Sequence, residues 1–75
     1  MLTKKTEKVS NYVLSFKGKD FNGDPINSDT LKGKVVWRDK IYNVGNSGHG
    51  LVDLYHNDEF IVCVNTSKIR LVREL

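Results

Sequence analysis

From Lys34 onward, the chain is a succession of short β-prone runs separated by polar connections that carry glycine, asparagine or aspartate. Valine, isoleucine, leucine and aromatic residues, which favour strands, dominate three of these runs: "KVVWRDKIYNV", "LVDLYHNDEFIVCV" and "IRLVREL". Parallel strands need crossovers of a dozen or more residues, for which this spacing leaves no room. The pattern therefore predicts a mainly β, antiparallel fold, either a small barrel or a strongly bent sheet.

The turn residues indicate where the strands begin and end. Residues 34–44 form either one long bent strand or two strands around a tight turn, and the three glycines within residues 45–50 predict a loop. Residues 51–64 predict a hairpin with residues 57–59 as its loop, and its register, with the closing strand, directs these side chains inward: Val52, Leu54, Phe60, Val62, Val64, Ile69 and Leu71. Asp53, Tyr55 and Cys63 then point to the opposite face.

The N-terminal part differs from the rest in charge. Residues 1–19 carry five lysines and one glutamate, whereas the remainder carries seven bases and eight acids. Residues 1–10 are therefore predicted to be a flexible basic arm, and residues 11–75 a single small domain. Residues 9–16 fit both an amphipathic helix and a half-buried strand, with Tyr12, Leu14 and Phe16 on one side; their β-branched and aromatic content favours the strand.

Size and cysteine usage bound the class of protein. A chain of 75 residues has room for one modest core, and its 39% hydrophobic and 28% charged residues are typical of a globular domain. Small secreted domains usually need several disulfides, whereas Cys63 is the only cysteine. Because no apolar run resembles a signal or a membrane span, a cytoplasmic protein without membrane contact is expected.

The stretch "DFNGDPINSD", residues 20–29, alternates acidic and amide side chains like a calcium-binding loop. Asp20, Asn22 and Asp24 match the first, third and fifth positions of that loop. The sixth position, which requires glycine, is Pro25, and the twelfth, which requires glutamate, is Leu31. The stretch is therefore predicted to form turns rather than a metal site.

No constellation of residues predicts catalysis. His49, His56 and Cys63 lack the paired spacing of a zinc site, and Cys63, between two valines, is interpreted as a small strand hydrophobe. The glycine-rich run "GNSGHG" lacks the Lys-Ser/Thr end and following helix of a phosphate-binding loop. We therefore expect a non-enzymatic protein with no catalytic residue, metal or cofactor, and no small-molecule substrate.

The span of residues 34–72 resembles an SH3-like small barrel. It has a long strand pair, a central hairpin, a one-turn connector at "NTSK" and a closing strand. The resemblance implies an SH3-like five-stranded barrel, but the "ALYDY"-type residues of proline-peptide grooves and the glycine pattern of KOW modules are missing. Small stand-alone barrels of this kind resemble accessory or host-modulating proteins of bacteria and phages.

A binding function needs only a surface, and tryptophan, tyrosine and arginine are the residues enriched at the centres of protein interfaces. The predicted contact surface comprises Trp37, Arg38, Tyr42 and Tyr55. A protein partner is favoured over nucleic acid because the charge of the body is nearly balanced. The sequence leaves open whether Trp37 and Tyr42 are surface or core, and whether the chain is a monomer or a homodimer.

The alternative is sequence-tolerant binding of RNA or single-stranded DNA. Aromatic residues that alternate with basic ones can stack on bases while the cations neutralise phosphates. The cations expected to contact such a backbone are Lys4, Lys5, Lys8, Arg38, Lys40, Arg70 and Arg73. This hypothesis predicts an affinity that falls steeply with salt.

Overall fold

The structure is a computed structural model, and it describes residues 9–75. Lys4, Lys5, Lys8 and nearly all of the predicted arm lie outside these residues. A 3₁₀ turn at Val9–Asn11 leads into the first strand, and a second one at Thr66–Lys68 precedes the last. The strands are β1 (Tyr12–Leu14), β2 (Lys34–Trp37), β3 (Lys40–Gly48), β4 (Leu51–His56), β5 (Glu59–Asn65) and β6 (Arg70–Glu74).

All six strands belong to one antiparallel sheet in the order β1-β6-β2-β3-β4-β5. This confirms the mainly β, antiparallel prediction. Within residues 9–16, the strand alternative holds for Tyr12–Leu14, whereas Val9–Asn11 form the 3₁₀ turn. The number of strands is six rather than five because β1 pairs with the C-terminal part of β6, residues 72–74. The described residues leave the sheet open between β1 and β5, so they do not form a closed barrel. None of their helical turns is long and apolar enough to cross a membrane.

Two-residue turns join β2, β3, β4 and β5 in succession. Each turn has positive φ at both residues, the geometry that matches the right-handed twist of the flanking strands. The pairs are Arg38 and Asp39 (51° and 62°), His49 and Gly50 (55° and 77°), and Asn57 and Asp58 (53° and 64°). Residues 34–44 are therefore two strands around a tight turn.

The glycine-rich run does not form the predicted loop. Strand β3 continues to Gly48, and only His49 and Gly50 turn. A β-bulge between Val44 and Ser47 keeps β3 paired with β4. A side chain at Gly45 would overlap the ring of Tyr55. This glycine therefore serves a close approach between neighbouring strands rather than a flexible connection.

A second β-bulge places Phe60 outside the core. The hairpin loop has two residues rather than the predicted three, so Phe60 pairs with Tyr55. Because Leu54 still pairs with Val62, Ile61 is an extra residue in β5. The bulge reverses the alternation of side chains, and Phe60 is 53% exposed on the face of Tyr55. The predicted inner position of Phe60 is wrong for this reason.

The curled sheet encloses one core. Its buried cluster consists of Val35, Tyr42, Val52, Leu54, Val64 and Ile69. Val62 and Leu71 pack against it, so six of the seven predicted inner residues are confirmed. Trp37 is half-buried against the same cluster, whereas Tyr42 is a core residue with 9% of its surface exposed.

The connection between β1 and β2 contains the predicted turns. Asp20 accepts hydrogen bonds at Oδ1 from the backbone N–H groups of Asn22 (2.8 Å) and Asp24 (3.0 Å). The carboxylate thus organises the loop backbone, which is the usual role of aspartate in a turn. Before this loop, Ser15 is buried and Phe16 is 79% exposed, which corrects the inward position predicted for Phe16. The reason is that Ser15 Oγ accepts a hydrogen bond from the Leu71 N–H (2.8 Å).

Candidate functional site

An open cleft of about 740 Å³ lies beside β5, and we call it the edge cleft. Residues 62–65 of β5 form one wall, and residues 36–39 at the tip of the β2–β3 hairpin form the opposite wall. Lys17, Lys68 and Arg70 complete the lining. The cleft is therefore assembled from four parts of the chain that only the folded sheet brings together.

The edge of β5, rather than one of its faces, borders this cleft. Successive side chains of a strand point to opposite faces, yet four consecutive residues, 62–65, line the same space. Among the described residues, β5 pairs with β4 alone. On the opposite wall, the pairing of β2 with β6 ends at Val36 and Arg70, immediately before Trp37. The edge cleft thus occupies the gap where the sheet curls without closing.

The charged residues that line the edge cleft are mainly basic. Four cationic residues, Lys17, Arg38, Lys68 and Arg70, line it together with one acidic residue, Asp39. The whole chain has 12 basic and 9 acidic residues, so the cleft is more positive than the average surface. Convergent charges of one sign raise the local concentration of oppositely charged ligands. The site is therefore suited to an anionic group.

Trp37 and Arg38 form a fixed unit at the hairpin tip. The guanidinium carbon of Arg38 lies 4.5 Å from the centroid of the Trp37 ring, a cation–π arrangement. The Trp37 ring also contacts the buried Tyr42, with a centroid distance of 6.1 Å and an interplanar angle of 58°. Arg38 adopts a φ of 51°, which is uncommon for a residue other than glycine, asparagine or aspartate. Such a conformation persists only where its surroundings hold it.

Replacing this turn by Arg38→Asn with Asp39→Gly is expected to stabilise the fold. Asn-Gly is the preferred sequence for this turn, and the gain is about 1 kcal/mol after the lost cation–π contact is subtracted. Urea denaturation measures the gain. As a control, Asp58→Gly improves the turn between β4 and β5 without altering the edge cleft. If the double variant were less stable than the wild type, the positive φ of Arg38 would not be a source of backbone strain.

Lys17 and Lys68 lie at the same cleft because the backbone at Gly18 contacts the backbone at Ser67 and Ile69. The Gly18 N–H donates a hydrogen bond to the Ile69 carbonyl (2.8 Å), and a Cβ at Gly18 would lie 3.2 Å from the Ser67 Cα. Gly18 also has a φ of 74°, which favours glycine. These two lysines were missed by sequence reasoning, because no local pattern connects residues so far apart.

The four residues of the predicted protein-binding surface occupy different environments. Trp37 and Arg38 line the edge cleft, whereas Tyr42 is buried behind Trp37 because its partner in the sheet, Val35, faces the core. Tyr55 lies outside the cleft lining, against Gly45 and edge-on to Phe60 at a centroid distance of 5.8 Å. The structure thus brings two of the four together at the cleft.

The cations proposed for nucleic acid also divide. Arg38 and Arg70 line the cleft, and Lys40 and Arg73 do not. The guanidinium carbon of Arg73 lies instead 4.5 Å from the centroid of the Phe21 ring. Lys40 and Arg73 are therefore suitable positions for control substitutions.

Cys63 is exposed, in agreement with the predicted orientation of this strand residue away from the inner face. Its alternation with Val62 and Val64 turns the thiol to the outer face, where Asp53 is its partner across the strands. The hydrogen bond with the Asp53 side chain, reinforced by desolvation and by the negative charge of Asp53, raises the pKa of the Cys63 thiol. An activated nucleophile requires the opposite shift. The described residues also contain no group of three or more His, Cys, Asp or Glu placed to hold a metal ion.

The Cys63 thiol is expected to react slowly with iodoacetamide despite its exposure. A raised pKa lowers the thiolate fraction at pH 8, and the thiolate is the reacting form. Asp53→Asn removes the negative charge and weakens the hydrogen bond, and should therefore accelerate alkylation. Mass spectrometry of timed samples measures the rate, and Asp58→Asn, a change in the hairpin turn, is the matched control. Equal rates in the wild type and Asp53→Asn would show that Asp53 does not control the thiol.

No protein-family model matches the chain, and neither a curated protein nor a solved structure matches it.

Proposed function

We propose that this chain is a non-enzymatic binding module that holds another protein in the edge cleft. The observation that carries the proposal is the coincidence, in one cleft, of a sheet edge that no other described strand pairs with, a tryptophan packed against the core and four basic side chains. Tryptophan and arginine are typical centres of protein interfaces, and a sheet edge offers backbone hydrogen bonds. The proposal concerns binding alone and assigns no reaction.

The geometry favours a protein partner over nucleic acid. Proteins that hold single strands without sequence preference usually present several aromatic rings for successive bases. Of residues 9–75, Trp37 is the one aromatic residue in the cleft lining, and Arg38 already covers one face of its ring. A peptide backbone, in contrast, can use the peptide groups along residues 62–65.

Binding of RNA or single-stranded DNA is the second candidate, and the charge of the cleft supports it. Four basic residues against one acidic residue would suit a phosphate backbone. Arg38 and Arg70 are the cleft residues common to both candidates. A nucleic-acid ligand would give an affinity that falls steeply as salt is raised.

The proposal also covers the type of fold, the cellular compartment and the kind of protein. The curled sheet and the one-turn connector at Thr66–Lys68 support an SH3-like barrel left open beside β5. A free, exposed cysteine supports action in a reducing, cytoplasmic compartment. We place the chain among the small accessory or host-modulating proteins of bacteria or phages.

Affinity capture from the source cell, with and without nuclease, tests the proposal. The tagged wild-type chain is compared with Arg38→Glu/Arg70→Glu and with the charge-matched control Lys40→Glu/Arg73→Glu. We expect a nuclease-resistant protein partner that the cleft variant loses and the control retains. A partner retained equally by all three chains would refute binding in the edge cleft, and a partner lost with nuclease would favour the second candidate.

A further inference from the structure

We infer that the edge cleft receives an extended acidic segment of the partner, which pairs with β5 as an additional strand. This inference rests on the proposed function and specifies how the partner is held. Two observations carry it independently: the edge of β5, which no strand within residues 9–75 covers, and the sign of the charge around it.

The first observation concerns the backbone of β5. Beyond the bulge at Ile61, residues 62–65 form a regular segment that pairs with β4 on one side and borders the cleft on the other. Exposed edges are usually protected by lysine, proline or a bulge, and this segment, "VCVN", has none of them. A row of peptide groups is thus available to an added strand. At about 3.3 Å per residue, four residues offer about 13 Å of pairing length.

The second observation selects the occupant. Lys17, Arg38, Lys68 and Arg70 surround the space beside this edge, and Asp39 is the single acidic residue in the lining. A second copy of the chain, paired edge to edge through β5, would bring the same four cations into the gap. Like charges placed together in this way oppose association. A segment rich in glutamate or aspartate instead complements the cleft.

The opposite wall supports the same occupant. Pairing between β2 and β6 ends at Val36 and Arg70, so Trp37 and Arg38 project beyond the paired region toward the gap. An extended segment in the gap would lie between the edge of β5 and this hairpin tip. Its alternate side chains would point to opposite faces. A segment in which acidic and apolar residues alternate meets both requirements.

An array of acetylated octapeptides tests the inference. Glutamate alternates with valine, isoleucine, threonine, phenylalanine or tyrosine, and a matched array carries lysine in place of glutamate. We expect binding to glutamate peptides at least tenfold tighter than to their lysine counterparts. Arg38→Gln/Arg70→Gln should weaken binding about tenfold, and Lys40→Gln/Arg73→Gln should change it less than about twofold. The inference would be overturned if every glutamate peptide bound no more tightly than its lysine counterpart.

Backbone pairing is tested on the best glutamate peptide by N-methylation of alternate peptide groups in each of the two registers. Methylation removes hydrogen-bond donors and keeps the charge, so one register should lose about tenfold or more in affinity. Exchange of those N–H groups of residues 62–65 that face away from β4, followed by NMR, should slow when the unmodified peptide binds. Strand addition is overturned if all methylated forms bind with equal affinity and amide exchange does not slow. In that case, loss of the captured partner in Arg38→Glu/Arg70→Glu would still support the proposed function.

Two further measurements separate the other occupants. Tighter binding of a fifteen-residue thymidine oligonucleotide, in competition with the peptide, overturns the inference in favour of the second candidate function. A dimer in sedimentation in which the N–H groups of residues 62–65 that face away from β4 are already protected without peptide overturns it in favour of a second copy. A monomer in which these outward N–H groups exchange freely until the glutamate peptide binds supports it.

Discussion

Reversing both Arg38 and Arg70 to glutamate is expected to lower the affinity for the partner about 100-fold at 0.15 M salt. Each reversal replaces an attraction with a repulsion, and each such exchange contributes roughly 1 to 2 kcal/mol near a protein surface. Both residues line the edge cleft, so the two effects act on one ligand. Fluorescence anisotropy with the captured partner or its acidic segment measures the change. The difference between variant and wild type should shrink at 1 M salt, because the charges are then screened.

The control for this prediction is Lys40→Glu/Arg73→Glu, which changes the net charge by the same amount outside the cleft. Its affinity should fall less than about threefold, since exposed charges at a distance from the ligand contribute little. A similar loss in both variants would assign binding to the overall charge of the chain. That result would remove the edge cleft from the binding site.

Leu54→Ala is expected to lower the free energy of unfolding by about 3 kcal/mol. Leu54 is fully buried at the centre of the core cluster, and its removal leaves a cavity that neighbouring valines cannot fill. A domain of this size has a total stability on the order of 5 kcal/mol, so the variant would be close to unfolding at 37 °C. Chemical denaturation followed by the fluorescence of Trp37, which packs against the same cluster, measures the loss.

Phe60→Ala provides the contrast, because the sequence places Phe60 on the same inner face as Leu54. In the structure the bulge at Ile61 turns Phe60 outward against Tyr55, edge-on at an interplanar angle of 74°. Its truncation should therefore cost about 1 kcal/mol or less, the value of an exposed aromatic pair. A loss equal to that of Leu54→Ala would mean that the bulge is absent and that the uninterrupted alternation is correct.

This contrast marks the limit of what the sequence predicts about the fold. Alternation of apolar and polar residues identifies the sheet, the hairpins and six of the seven inner side chains, because burial of one face determines the pattern. A bulge adds one residue without a distinctive sequence, so the side of Phe60 was not predictable. The glycines of residues 45–50 suggest a loop for a related reason, since glycine is common both in turns and in strands that approach a neighbour closely.

The candidate site was predictable only in part. Trp37 and Arg38 stand out because their residue types are common at interfaces, and both line the edge cleft. Tyr42 has the same chemical character, but its register opposite Val35 directs it into the core. Lys17 and Lys68 join the cleft through the contact of Gly18 with Ser67 and Ile69. That contact links distant parts of the chain, and a pattern read along the sequence cannot reveal it.

The three two-residue turns between β2 and β5 have a consequence for the order in which the molecule assembles. Each of these strands pairs with its immediate neighbour along the chain, so little loop entropy opposes their association. Strand β6, in contrast, returns to β2 only after the whole meander has been traversed, and β1 pairs with β6 across nearly the full described length. Contacts of long sequence separation are slow to form. We therefore expect a four-stranded nucleus to appear first, and Arg70 to join Arg38 in the lining of the edge cleft only after this nucleus has formed.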